Sequence, residues 1–291
     1  MTNHEVEIKT MQLYDDIDRI WGDLESLGYS RDKKDEILDP HKLNEFDCYN
    51  YGGFKSAQNA SKLLELNDTS LVLDFGAGIG GPARCISSFS GANVVGVELQ
   101  KDLTDLAIEL NERCGLSKKI QMVAGDFLNN DLDSHYKSEP NTFDAVVSWL
   151  VILHIPFDSR VATFQKIYNL LKPGGKVYIE DYYAKFELND DDKYKLANDV
   201  YVPQGTLPSK EQYINTMIEA GFDSNKIEFN DASEEWNGFT SERLNIFQSK
   251  KERHIKVYNQ ATYDNLNHFY SSVSGLFDAG RLGGAKIILT K

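Results

Sequence analysis

The segment Leu71 to Arg84, LVLDFGAGIGGPAR, constrains this chain more than any other, because an interior-strand run leads straight into a glycine turn that opens a helix. Leu71, Val72 and Leu73 read as a buried strand. Gly76 and Gly78 carry no side chain that would hold the backbone away from a ligand, and a helix from about Gly80 points its free amide groups at the turn. With Gly81 the spacing G-x-G-x-x-G is met, a pattern that serves several nucleotide cofactors and also arises by chance. The implied fold is an α/β, Rossmann-like open sheet with its ligand outside the carboxyl ends of the strands.

Asp74 narrows the ligand. A dinucleotide would bring a pyrophosphate with roughly two negative charges against the turn, and a carboxylate two residues before the first glycine would repel it. A cation would be drawn in. S-adenosyl-L-methionine carries an ammonium and a sulfonium and no phosphate, and the run resembles motif I of the class I S-adenosylmethionine-dependent methyltransferases. A nicotinamide dehydrogenase and an accidental glycine turn stay open beside that reading.

Beyond the turn, short apolar runs alternate with amphipathic ones, as strands and helices do in such a sheet. Strands are predicted at Asn93–Val97, Ile120–Val123, Phe143–Ser148, Lys176–Asp181 and Ile227–Phe229, and a last one at Lys286–Thr290, entered through a flexible Gly283–Gly284 pair. Helices are predicted over Asp102–Cys114, Ser159–Leu171 and Ser209–Ala220, with LKPGG at Leu171–Gly175 as a helix stop and turn. The expected division is a helical lid over 1–66, a cofactor-binding core over 67–182, and a helical cap with the final strands over 183–291. The acidic run Asn189–Lys193 reads as a solvated loop.

With 45 acidic against 31 basic residues the formal net charge is −14, which argues against a nucleic-acid backbone or an anionic membrane as partner. Cys48, Cys85 and Cys114 form no C-x-x-C pair, so no disulfide framework and no metal site is indicated. A reducing, cytoplasmic setting is expected, since the start lacks a signal-like pattern and no apolar run approaches the ~20 residues that cross a bilayer. Oligomeric state is left open, a homodimer included.

The cofactor residues follow from strand ends. Asp74, Gly76, Ala77 and Gly78 form the turn. Glu98, with Leu99 beside it, closes the second strand, where a carboxylate can accept from both ribose hydroxyls. Asp126 and Phe127 in AGDF follow the third, where an acid can accept from the adenine amine and a ring can cover its face, although an N-cap with a core phenylalanine would read the same. Ser148 ends the fourth. The stretch SWLVILHIP then offers Trp149 towards an acceptor and His154 as a proton acceptor with a pKa near operating pH, or as a structural histidine.

Taken together, DFGAGIGG, the AGDF acid, S-x-x-x-I-L-H ending at His154, LKPGG, IEDY at Ile179–Tyr182 and PSKEQY at Pro208–Tyr213 resemble the small-amine N-methyltransferases, the phosphoethanolamine and glycine, sarcosine and dimethylglycine groups. The resemblance implies a histidine at His154 working with a lid tyrosine, for which FDCYNYGG offers Tyr49 and Tyr51, with Tyr14 upstream. It also implies pocket tyrosines, here Tyr182 and Tyr183. Two departures stand out. Leu150 replaces an aspartate that family often carries, and Asp199–Ser209 holds no arginine or lysine for a phosphate. LFDAGRLGG instead resembles the end of the sarcosine and dimethylglycine enzymes, where Arg281 would pair with an acceptor carboxylate. The expected activity is methyl transfer to a small-molecule amine, with an O-methyltransferase, a nicotinamide oxidoreductase and a catalytically silent binding module as alternatives.

Overall fold

Leu71–Phe75 (β1), Asn93–Glu98 (β2), Ile120–Ala124 (β3), Phe143–Trp149 (β4), Leu171–Ala184 (β5), Ile227–Asp231 (β6) and Leu282–Thr290 (β7) join in one sheet of order β3-β2-β1-β4-β5-β7-β6. This is a computed structural model, and it describes residues 17–47, 50–128, 139–203, 205 and 207–291. Neighbours from β3 to β5 pair in parallel, while β7 runs antiparallel between β5 and β6. The order reverses at β1. There Asp74 pairs with Gly96 of β2 on one side and Val147 of β4 on the other, so it stands in the crevice where such sheets hold ligands.

Alternate residues feed the two faces of the sheet, and both faces are buried, which is why the central strands read as unbroken apolar runs. Leu73, Val95, Val146 and Ile179 pack with Phe164 and Ile167 of helix α6 (Phe157–Leu170) and Met217 of α8 (Lys210–Glu219). Val72, Val94, Ala145 and Val147 pack with Ala57 and Ala60 of α3 (Gly53–Leu63) and Ala83 and Ile86 of α4 (Gly81–Ser90).

Helices α1 (Ile17–Ser26) and α2 (Pro40–Asp47) precede the sheet. From them and the link between them, Ile20, Trp21, Leu24, Leu38 and Leu43 pack on Ile79 of the glycine turn and on Leu103, Leu106 and Leu110 of α5 (Lys101–Arg113). The lid also reaches the cap, which consists of α7 (Asp190–Asn198), α9 (Ser233–Ser249), α10 (Lys251–Val257) and α11 (Gln260–Asp278). Arg253 of α10 donates to Asp23 of α1 at 2.8 Å, and the Tyr258 hydroxyl donates to the same carboxylate at 2.6 Å. Among the described residues no helix is long and apolar enough to cross a membrane.

Three sequence expectations change. Gly283 and Gly284 are not a flexible entry but paired strand residues, opposite Tyr183 and Tyr182. A Cβ at Gly283 would come within 2.4 Å of the Tyr183 ring, and one at Gly284 within 2.3 Å of the Trp236 indole, so aromatic rings dictate glycine here. LKPGG does stop α6, which ends at Leu170, but its turn is a bulge within β5 rather than a separate loop. Leu171 pairs with Phe143 and Lys176 with Ala145, and the residues between loop out at Gly174, whose φ is 77°. The acidic run is a helix start rather than a loop: the Asn189 side chain accepts from the Asp192 amide at 2.8 Å and Asp192 accepts from that of Asn189 at 3.2 Å. Three aspartates in the first turn of α7 complement its dipole.

Candidate active site

The glycine turn is bound to the strand beside it. The amides of Gly76 and Ala77 both donate to Val97 O, at 2.9 and 3.0 Å. Gly76 has φ 75°, and a Cβ there would lie 2.3 Å from Val151, so the turn packs tightly against the exit of β4. Gly78, at φ 53°, faces open space, as a backbone approached by a ligand requires. Gly96 carries a role the sequence did not reveal. A Cβ on it would sit 2.6 Å from Met122 Sδ and 2.9 Å from Ala77, so β2 lacks a side chain where the turn folds over it. At the far end of the turn, buried Arg84 donates to Ile79 O at 2.7 Å and to Asn111 at 2.8 Å.

Two buried acids line this end. Asp74 is 1 % exposed, and its Oδ2 is buried without a hydrogen-bond partner. Burial, and then the charge of Glu98, push its pKa up to about 7. Glu98 accepts from the Gly78 amide at 2.9 Å and from that of Gln100 at 3.0 Å, and burial raises its pKa against those bonds. An orphaned carboxylate beside an open glycine fits the ammonium of S-adenosylmethionine, and Glu98 is the acid available to its ribose. Leu99 follows Glu98 at the surface. Asp126 accepts from the Leu128 amide at 2.9 Å, while Phe127 is buried with its ring 4.5 Å from that of Phe75. Ser148 ties β4 to β1 by donating to Phe75 O at 2.9 Å.

His154 sits in a short 3-10 turn, Ile152–His154, directly after β4. The turn is clamped from both sides by residues that sequence reasoning missed. Buried Asp181 accepts from the Leu153 amide at 3.0 Å, and buried Arg160 donates to Ile155 O at 2.8 Å and Leu153 O at 3.4 Å. His154 itself is half-buried, and its Nδ1 is buried with no hydrogen-bond partner. Burial and then the Arg160 charge lower its pKa to about 4, so the ring is neutral at physiological pH rather than poised near it as expected. Burial pushes Asp181 up to about 7 in spite of its two backbone bonds and Arg160.

Next to this turn lies an aromatic box. Tyr51 and Tyr182 share a hydroxyl–hydroxyl hydrogen bond, and the Tyr51 ring meets those of Trp236 at 4.6 Å, Phe239 at 5.2 Å and Phe277 at 6.4 Å. Leu153, the neighbour of His154, packs in the same cluster. Burial pushes the Tyr51 pKa up to about 12, so its hydroxyl keeps its proton. The helix that follows the Tyr51 turn is held on the same face of the sheet, since Tyr178, Glu180 and Tyr182 alternate to one side of β5. Trp149 Nε1 donates to Ser56 Oγ at 2.9 Å, and Ser56 and Tyr178 donate to Glu180 at 2.8 and 2.6 Å.

Of the other residues expected on the acceptor side, Trp149 turns into the core beneath α3, where its indole anchors Ser56. Tyr183, by strand alternation, points away from Tyr182 and packs on Phe229 at 5.2 Å. Arg281 pairs with buried Asp192 at 3.5 Å, a partner hidden in the acidic run. Tyr49 and Tyr14 lie outside the described residues. A residue with no sequence signal, Arg243 of α9, stands over the Tyr270 ring at 4.9 Å and the Phe239 ring at 6.0 Å.

Residues 72–175 match the model of a methyltransferase domain. Over 222 residues the chain is 30 % identical to the phosphoethanolamine N-methyltransferase of Plasmodium falciparum, covering 76 % of this chain and 78 % of that one. The chain belongs to the S-adenosylmethionine-dependent methyltransferases. This methyltransferase superimposes on phosphoethanolamine N-methyltransferase 2 of Haemonchus contortus, solved with phosphomonomethylethanolamine and S-adenosylhomocysteine, with a TM-score of 0.78 at 23 % identity. That match takes in 99 % of this chain and 60 % of the other, so the nematode enzyme extends well beyond the shared fold. The methyltransferase is also 29 % identical over 178 residues to sterol 24-C-methyltransferase of Kluyveromyces lactis, covering 59 % of this chain and 46 % of that enzyme. S-adenosylmethionine is its cofactor.

Proposed function

We propose that this methyltransferase methylates the nitrogen of a small amine or amino acid by direct in-line displacement. When bound, the cofactor supplies an activated methyl group on its sulfonium. The observation that carries the reading is His154, neutral, with a buried unpartnered Nδ1, on a turn clamped by Asp181 and Arg160 and flanked by the aromatic box. An amine reaches the site mostly as an ammonium and must lose a proton before it attacks; the unprotonated imidazole of His154, a weak base at its lowered pKa, passes that proton on rather than keeping it. The rings of Tyr51, Tyr182, Trp236 and Phe277 exclude water and stabilise positive charge, each worth about 0.5–2 kcal/mol where it faces the cation. Holding the reactants in line contributes most, on the order of 7–11 kcal/mol.

Similarity to phosphoethanolamine enzymes supports nitrogen as the target, and similarity to a sterol enzyme raises carbon as the alternative. A panel of small amines, amino acids, phenols and sterols incubated with isotope-labelled S-adenosylmethionine separates them. Label is expected on an amine, with mass increments counting the methyl groups added. Label only on a sterol or a phenol would sink the amine reading.

A further inference from the structure

We propose that Arg243 is the anchor for an anionic group, a phosphate or a carboxylate, on the acceptor, held beside the hydroxyls of Tyr51 and Tyr182. This rests on the amine-methylation reading and names the acceptor's charge. The basic residues around this end of the sheet have carboxylate partners: Arg281 pairs with Asp192 at 3.5 Å, Lys185 with Asp231 at 3.5 Å and Lys286 with Glu235 at 2.6 Å. Arg243 has none among the described residues. Its hydrogen bond is a long one, 3.4 Å, to the Tyr270 hydroxyl, and its ring contacts are with the faces of Tyr270 and Phe239.

That arrangement is costly without an anion. A half-buried guanidinium among rings recovers only part of its lost hydration from cation–π contacts, and a partner carboxylate or phosphate would complete it. The chain has 45 acidic residues to choose from, yet sets none of the described ones against Arg243. Phe239 links the cation to the box, since its ring lies 6.0 Å from Arg243 and 5.2 Å from the Tyr51 ring. Tyr51 keeps its proton and can donate to the same anion. Arg243 also answers the missing basic residue in 199–209, because a cation from α9 stands against Phe239 at the edge of the same aromatic cluster that Val200 and Val202 enter. A zwitterionic acceptor would then be gripped at two ends, the anion at Arg243 and the amine towards His154.

The test is calorimetric titration of the protein saturated with S-adenosylhomocysteine, using O-phosphoethanolamine, sarcosine and ethanolamine as probes. Wild-type protein is expected to bind one of the two anionic probes at least tenfold more tightly than ethanolamine, and which of them binds tells phosphate from carboxylate. Arg243→Gln is expected to weaken that probe by about tenfold or more, Arg243→Lys by less, with S-adenosylhomocysteine affinity unchanged in both as the check on folding. Binding to wild type is also expected to weaken as salt rises. Equal probe affinity in Arg243→Gln and wild type, or a wild type that prefers ethanolamine, overturns the proposal. Should either variant lose S-adenosylhomocysteine, the wild-type comparison of the three probes and its salt dependence still decide the matter. Because these readouts are of binding, they stand even if methyl transfer turns out to go to carbon or oxygen.

Discussion

At the ends of β1 and β2 the site joins residues close in sequence, Gly78 to Glu98 being 20 positions apart, whereas across β4 and β5 it joins Tyr51 to Tyr182, 131 positions apart. The first half is made of backbone and charge, with two buried acids and glycines. The second is made of rings, drawn from the lid, β5 and two cap helices, with one cation among them. Substitution should therefore separate them cleanly: removing charge in the first half weakens the donor, and removing a polar atom in the second slows transfer or loosens the acceptor.

The largest expected effect is in the second half. His154→Ala is expected to cut turnover by ~10²- to 10⁴-fold in single-turnover assays while S-adenosylmethionine affinity holds. Unchanged turnover would remove the imidazole from the mechanism and blur the division. Next comes Asp74→Asn, expected to weaken S-adenosylmethionine by about 10- to 100-fold in calorimetry, the loss of one charge-assisted bond of ~1.5–3 kcal/mol. The same variant carries a signature of opposite sign. A free Asp74 ionises near 3.8 and the folded one near 7, so between those pH values the folded state holds the extra proton and stability falls as pH rises. Melting of the ligand-free variant at pH 8 is therefore expected above that of wild type.

Tyr51→Phe removes the hydrogen bond between the Tyr51 and Tyr182 hydroxyls and is expected to cost ~1–2 kcal/mol in denaturant unfolding, with donor affinity intact. A fall in donor affinity there would tie the halves together. The smallest effect is expected at the lid–cap tie. Asp23→Asn weakens its bonds to Arg253 and Tyr258 and should raise the acceptor KM a few-fold with kcat nearly unchanged. A kcat loss instead would mean that the tie shapes the reacting geometry.

The same contrast explains what could be read from the sequence. Asp74, the glycines and Glu98 were legible because strand, turn and acid follow one another along the chain, and the fold came with them. His154 was legible as a residue, but not its depressed pKa, which comes from burial and then from Arg160 folding back over the turn. Tyr51 could not be told from its neighbours, since what marks it is contact with Tyr182, Trp236 and Phe277. Gly283 and Gly284 read as hinges because glycine allows bending, yet here they make room for rings contributed by β5 and α9. Arg281 looked free until its partner Asp192 appeared at the start of a helix mistaken for a loop. Arg243 carries no pattern at all, because an unpaired charge is a property of surroundings.

The orphaned oxygen of Asp74 would couple folding stability to methyl-donor binding. A ligand that binds only the native form protects it by RT ln(1 + [L]/Kd), and a cation seated on the unpartnered Asp74 oxygen would add the relief of a buried carboxylate to that protection. Protein without methyl donor is then expected to melt below the donor-bound form and to be cleaved sooner by a protease that attacks the opened chain.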